Sequence, residues 1–206
     1  MECVKSLEHA PDCHLCCHGP FHQPEKHFWV SVAPVLAGIQ PAALISFRHT
    51  ARTLFMDRLA FLCENTGLRA FPLAQRASTV LVLVYHDLRL GAALADPSAQ
   101  GILVGYGYPP SPCIKAYLQH LASRLDGGGF PHEIGVFLGY PPKDVAAFIQ
   151  HGGRNYLCCR YWKVYHDECA ARRIFAAIDH AKARALHLIS QQLPVRTAAQ
   201  LLTLMS

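Results

Sequence analysis

Residues 131–167, PHEIGVFLGYPPKDVAAFIQHGGRNYLCCRYWKVYHD, carry the reading on which the fold turns. The apolar run 134–138 (IGVFL) has strand length, and so does 156–165, which holds a Tyr-Trp-Lys-Val-Tyr run. Between them Tyr140-Pro141-Pro142 opens a helix over 142–151, and Gly152-Gly153 closes it. A helical crossover favours parallel pairing with a right-handed connection. The two strands are therefore expected side by side in one sheet.

Outward from this unit the chain divides into short elements. Residues 25–35 suit a helix stopped near Pro34, and 36–47, broken by Gly38 and Pro41, reads as a buried turn and short segment. An apolar stripe over 52–65 with Gly67 just beyond predicts a capped helix. Runs 69–73 and 79–85 are strands close enough for an antiparallel hairpin. Helices are expected over 87–95, 97–105, from Ser111-Pro112 to about 125, and over 168–192, with a last short one after Pro194. The fold class is α/β (α+β), a small sheet of about four strands flanked by helices. Residues 1–24 are expected as a Cys/His-rich N-terminal appendage, and 25–206 as a single α/β domain.

Composition limits the possible functions. The chain has 206 residues, of which 51% are hydrophobic and 16% charged, enough for a sizeable core and against global disorder. The net charge of +5 is spread without a basic block, and no helix-turn-helix, zinc-finger or RNP pattern occurs, so nucleic acid is not the expected partner. No apolar run reaches membrane-spanning length, and the first residues lack a signal-peptide core. An odd nine cysteines suggests reduced thiols and a cytoplasmic location.

Candidate chemistry concentrates in the opening stretch. His132-Glu133 is a general base with its orienting carboxylate, a metal-ligand pair, or a structural histidine at a strand edge. Cys158-Cys159 offers a thiol nucleophile, although neighbouring strand residues face opposite ways and one thiol is expected to be a buried small hydrophobe. Tyr161, Lys163 and Tyr165 alternate onto one face, either a solvated surface or a platform for a flat anionic ligand. Gly139 and Tyr140 would line the mouth of such a site, where ligands of open α/β sheets usually lie. Two groupings are open for the pocket, Tyr140 with the end of the second strand, or His132-Glu133 with Cys158-Cys159. The latter is preferred because it offers both a base and a nucleophile.

PHEIGVFLGYPPKDVAAFI, CCRYWKVYHD and the upstream APVLAGIQPAALISF resemble DUF3793, an uncharacterised family, over roughly residues 28–178. Family members tend to carry a His-Cys pair where Ser31-Val32 stand here, so a role for that cysteine does not transfer. The resemblance supplies no reaction. It links the chain to anaerobes and to iron-uptake and flavodoxin-type neighbours, and so implies a redox or metal setting.

The N-terminal segment lies outside that resemblance. Cys13, Cys16 and Cys17, with His14 and His18, give one Cys-x-x-Cys able to chelate a tetrahedral metal, without the second that a zinc ribbon needs. Zinc or an iron-containing cofactor would suit these ligands. A tail with adventitious affinity is the alternative. The expected function is a metal- or cofactor-binding accessory protein of iron or redox metabolism, with a small-molecule or metal ligand and a redox protein partner. The alternative is a thiol/His-dependent enzyme acting on a small anionic substrate.

Overall fold

The computed structural model describes residues 24–48, 52–76, 79–110, 113–127, 129–191 and 195–204. The expectations for residues 1–23, the proposed metal ligands Cys13, His14, Cys16, Cys17 and His18 among them, lie outside the described residues, as do Ser111 and Pro112.

A three-stranded antiparallel sheet forms the centre, in the order β1 (Ala42–Arg48), β3 (Thr79–Tyr85), β2 (Arg69–Gln75). The middle strand, TVLVLVY, is apolar on both faces because helices cover both. Val80, Val82 and Val84 face one core, shared with α1 (Pro24–Leu36), α2 (Arg52–Thr66), α8 (Glu168–Ser190) and α9 (Val195–Thr203). Leu83 and Tyr85 face a second core, filled by α3 (Asp87–Ala95), α4 (Pro97–Gly105), α5 (Ile114–Asp126), α6 (Ile134–Phe137) and α7 (Pro142–His151). The protein is therefore α+β, with an antiparallel sheet between two helical layers.

The expected β2–β3 hairpin is present, running from Arg69 opposite Tyr85 to Gln75 opposite Val80. Pro72 has no N–H for the ladder and sits on this edge strand, where the register slips by one residue before Ala74. The helices Asp87–Ala95 and Pro97–Gly105 occur where expected, and Asp96 caps the second by accepting from the Ser98 and Ala99 amides. Helix α2 ends at Gly67, whose φ of +69° is the left-handed conformation a C-terminal cap requires.

Several expectations are corrected. Residues 36–47 do not form only a buried turn, because Ala42–Arg48 is the strand β1. Gly38 and Pro41 end α1 and launch the strand, and the run AALISFR sends Ala43 and Ile45 to one core and Ala42 to the other. The helix expected over 25–35 and stopped near Pro34 does form, as α1, which ends at Leu36; Pro34 lies inside its last turn, and its carbonyl accepts from the Ile39 and Gln40 amides. The helix expected at Ser111-Pro112 begins at Ile114, with Cys113 in the cap position.

The larger correction falls on the βαβ unit. IGVF is one buried helical turn, closed by Leu138 N–H donating to Ile134 C=O at 3.1 Å and Tyr140 N–H to Gly135 C=O at 2.9 Å. Ile134 to Leu138 are buried against α3 and α7 and not beside a strand among the described residues, so the backbone bonds close within the turn. Residues 156–165 are also not one strand. They form a tight antiparallel hairpin, β4 (Cys158–Cys159) with β5 (Lys163–Val164), in which Cys158 faces Val164 and Cys159 faces Lys163. The expected parallel pair does not exist, although the connecting helix α7 and its glycine closure do, with Gly152 at φ +58°. The hairpin packs through Trp162 and Val164 onto Phe175 and Ile178 of α8.

Candidate functional site

A cavity of about 70 Å³ opens where α6, α7 and the hairpin meet. Its walls are mostly rings and branched chains, with Phe130, Phe148, Trp162 and Val145 prominent, and it also receives His132, Tyr140, Asp144, Tyr161 and Lys163. Pockets for drug-sized ligands run to several hundred Å³, so this one suits a group of a few heavy atoms.

Local structure explains why these side chains converge. Gly135 lets α6 press against α7, since a Cβ there would lie 2.8 Å from Val145 Cγ2 and 3.1 Å from Tyr140 Cδ2. Gly139, at φ +76°, turns the chain so closely over Pro41 that a Cβ would fall 2.3 Å from its Cδ. Gly139 is therefore a packing point between this unit and the start of β1, and it does not line the cavity. Tyr140 emerges from that turn to stack on Trp162, with centroids 5.2 Å apart and planes at 27°.

Asp144 ties α7 to the hairpin. It is 4% exposed, and its Oδ2 accepts from Trp162 Nε1 at 2.9 Å. Its Oδ1 accepts from the Tyr165 amide at 2.9 Å and the His166 amide at 3.2 Å, and lies 3.0 Å from His166 Nδ1. A carboxylate only accepts, so the His166 proton sits on Nδ1. Every contact holds the hairpin, which leaves this carboxylate committed to structure.

Lys163 is 4% exposed, an unusual place for an ammonium. Its Nζ donates to the Gly153 carbonyl at 2.7 Å, beyond the C-terminal end of α7, where a positive charge is favoured. The Tyr156 and Phe148 rings lie 4.7 and 5.7 Å from Nζ. Among the described residues no carboxylate reaches ion-pair distance of it. Among the described residues one donor of three is used on protein.

His132 and Glu133, adjacent in sequence, part company. The His132 ring packs edge-on to Phe148 at 5.0 Å on the cavity wall. Burial pulls its pKa down, against the opposing pull of Glu133, so the imidazole is neutral at neutral pH. Glu133 is fully buried on the other side of the turn, paired with Arg124 and accepting from Tyr108 Oη at 3.3 Å. Burial and that carboxylate push the Tyr108 phenol far up. No hydrogen bond joins His132 to Glu133 among the described residues, so Glu133 does not orient the imidazole.

The other candidate residues separate in the same way. Cys158 and Cys159 line a different and larger opening, about 470 Å³, with Arg160, Arg172 and Asp179, and Cys159 is disulfide-bonded, so it is not the free thiol expected of it. Burial and then Glu168 raise the Cys158 thiol, and Arg172 only partly offsets them. Tyr161 reaches the cavity wall, but its hydroxyl donates to Asp179 Oδ1 at 2.7 Å and Lys182 sits 4.4 Å from its ring. Tyr165 stacks on His151 at 5.8 Å, with its hydroxyl buried and unpartnered. The expected alternation of faces fails because residues 160–162 form the hairpin bend, which puts Trp162 and Lys163 on the same cavity. The grouping of Tyr140 with the second segment forms in part, since Tyr140 shares the cavity with Tyr161, Trp162 and Lys163 but not Tyr165, and His132 joins them, whereas the preferred grouping of His132-Glu133 with Cys158-Cys159 does not form.

Sequence reasoning missed Trp162, Phe130 and Phe148 as walls and Asp144 as the hub. Asp144 reads in sequence as an ordinary helix opening, and nothing local marks its partners more than seventeen residues away. Among the described residues no three of His, Cys, Asp and Glu come together as a metal site. No described helix is long and apolar enough to cross a membrane.

Fold and site define an α+β protein with an antiparallel sheet between helical layers and an aromatic cavity carrying a buried lysine. The chain belongs to the family described as protein of unknown function, DUF3793, whose model matches residues 29–198. No curated protein and no solved structure matches it.

Proposed function

We propose that this chain is a small-molecule-binding protein whose ligand occupies the cavity between α6, α7 and the hairpin. The observation that carries the reading is Lys163, an ammonium buried among aromatic rings with donors to spare. Tyr140 adds a hydroxyl that bonds to no described residue. Burial pushes its pKa up to about 12, so it remains a donor at neutral pH. A polar set of this kind in an apolar recess is the usual make-up of a ligand site.

The wider expectation, a cofactor- or metal-binding accessory protein of iron or redox metabolism with a redox partner, draws its support from the family resemblance and from Cys13, Cys16 and Cys17. Anaerobic purification with elemental analysis tests that half. The thiol/His enzyme reading is less well supported, because Cys158 and His132 line different cavities and the Cys158 thiol is raised rather than activated.

Trp162 lies on the cavity wall, so its fluorescence in a Trp29→Phe background reports occupancy. Members of a small-molecule fragment library should change that emission saturably, and Val145→Leu, which fills part of the space, should weaken them. A library that leaves Trp162 unchanged sinks the proposal.

A further inference from the structure

Resting on the reading of this cavity as a ligand site, we infer that its ligand is a small monocarboxylate, with the carboxylate head on Lys163 and Tyr140 and a short apolar body among the rings. The chemistry of the wall limits the ligand in three ways. Lys163 needs an acceptor: Nζ spends one N–H on the Gly153 carbonyl, the Tyr156 and Phe148 rings cover part of its surface, and no described carboxylate pairs with it. Asp144 lines the same cavity but does not supply that acceptor: its oxygens accept from Trp162, Tyr165 and His166, and no ion pair joins it to Lys163 among the described residues.

Charge sets the second limit. Lys163 is the one ammonium among the lining residues, Asp144 is engaged by Trp162, Tyr165 and His166 rather than by Lys163, and neutral His132 adds nothing at neutral pH. An anion in this recess meets one ammonium and one fixed negative charge nearby. A single charge delocalised over two oxygens can take Lys163 and a Tyr140 hydroxyl bond together. A phosphate dianion would bring a second charge with no cation to meet it, in a poorly solvated recess where unpaired charge is costly.

Size and shape set the third. About 70 Å³ between Phe130, Phe148 and the stacked Tyr140–Trp162 pair holds a carboxylate and a few carbons, with anything longer projecting through the open side. Ile134 and Val145 complete an apolar lining that offers nothing to a polyhydroxylated or multiply charged body.

The test uses the whole chain at pH 7.5 with butyrate, butyramide and n-propyl phosphate as probes, followed by NMR shifts of residues 130–166. Butyrate is expected to bind about tenfold or more tighter than butyramide, the margin for one hydrogen bond to a charged group. Propyl phosphate should bind more weakly than butyrate. Lys163→Met should lose the butyrate preference, and because it removes a buried charge it should remain folded. If that variant does not fold, the Lys163 Cε resonance of the wild-type protein is the second measurement. It should move with butyrate and stay still with butyramide. Equal binding of butyrate and butyramide, weakened by Val145→Leu, would overturn the carboxylate while leaving the cavity a ligand site. Tighter binding of propyl phosphate would overturn it in favour of a dianion. No response in these residues to any of the three probes would also overturn it, while the fragment library separately decides whether the cavity binds anything.

Discussion

Replacing Asp144 by alanine should be among the most damaging single changes in this protein. The carboxylate accepts from four donors, and their surroundings determine what its loss costs. His166 is half exposed, so its ring can turn to water at little expense. Trp162 Nε1 belongs to a side chain only 6% exposed and would be left without an acceptor, at about 1–3 kcal/mol. The Tyr165 amide is part-buried and loses a bond to a charged acceptor, which contributes about 1.5–3 kcal/mol. Together with looser seating of the hairpin on α7, the expected destabilisation is about 3–5 kcal/mol. For a domain of this size that lowers the Tm by roughly 10 °C. Asp144→Asn keeps one carbonyl oxygen but turns an N–H₂ towards other donors, and should fall between wild type and alanine. Urea unfolding monitored by tryptophan fluorescence measures all three proteins. A loss below about 1 kcal/mol for Asp144→Ala, within the range of ordinary surface substitutions, would refute the assignment of Asp144 as the hub.

Four further outcomes follow from the geometry. Gly139→Ala should cost about 3 kcal/mol or more, since it adds left-handed strain to a clash with the Pro41 ring, measured by urea denaturation. Gly135→Ala should destabilise by about 1–3 kcal/mol, and Val145→Ala should suppress part of that loss in a double-mutant cycle, because Val145 is the atom group struck. The lowered His132 pKa means the unfolded chain binds the proton more readily. Its contribution to stability is therefore full above about pH 6.5 and falls as pH drops from there towards the folded pKa. His132→Gln should flatten that part of the stability–pH curve, leaving the share due to His27, whose pKa is also lowered by burial. Finally, burial pushes the Cys63 thiol up to about 11, so iodoacetamide with peptide mass mapping should label exposed Cys113 and Cys169 in the native protein and Cys63 only after unfolding.

Much of the architecture is legible in the sequence because it depends on local signals. The hairpin of β2 and β3, the helices α3, α4 and α7, and the long α8 follow from apolar periodicity, from the Pro-Pro pair at a helix start, and from glycines at helix ends. Those signals act within a few residues, so the sequence alone determines them. Short apolar runs are different. IGVFL and ALISF have the same length and similar composition, yet one is a buried helical turn and the other a strand. Neither has a polar face to give a period, and only the surroundings distinguish them. Ala42–Arg48 meets the open edge of β3, whereas Ile134–Phe137 is buried against α3 and α7, not beside a strand among the described residues, and closes its backbone bonds within itself.

The candidate site divides along the same line. That residues 131–167 carry the polar and aromatic groups of interest was visible in sequence, because buried-type aromatics and ionisable groups rarely alternate so densely. Which of them meet was not visible. His132 and Glu133 are neighbours in the chain but face opposite sides of a helical turn, and Lys163 and Trp162 share a cavity only because the chain bends at 160–162. Sequence determined the inventory of the site. Tertiary packing decided that Asp144 is engaged by the hairpin and that Lys163 faces the recess with no carboxylate paired to it among the described residues, because both depend on contacts between segments that only the folded chain brings together.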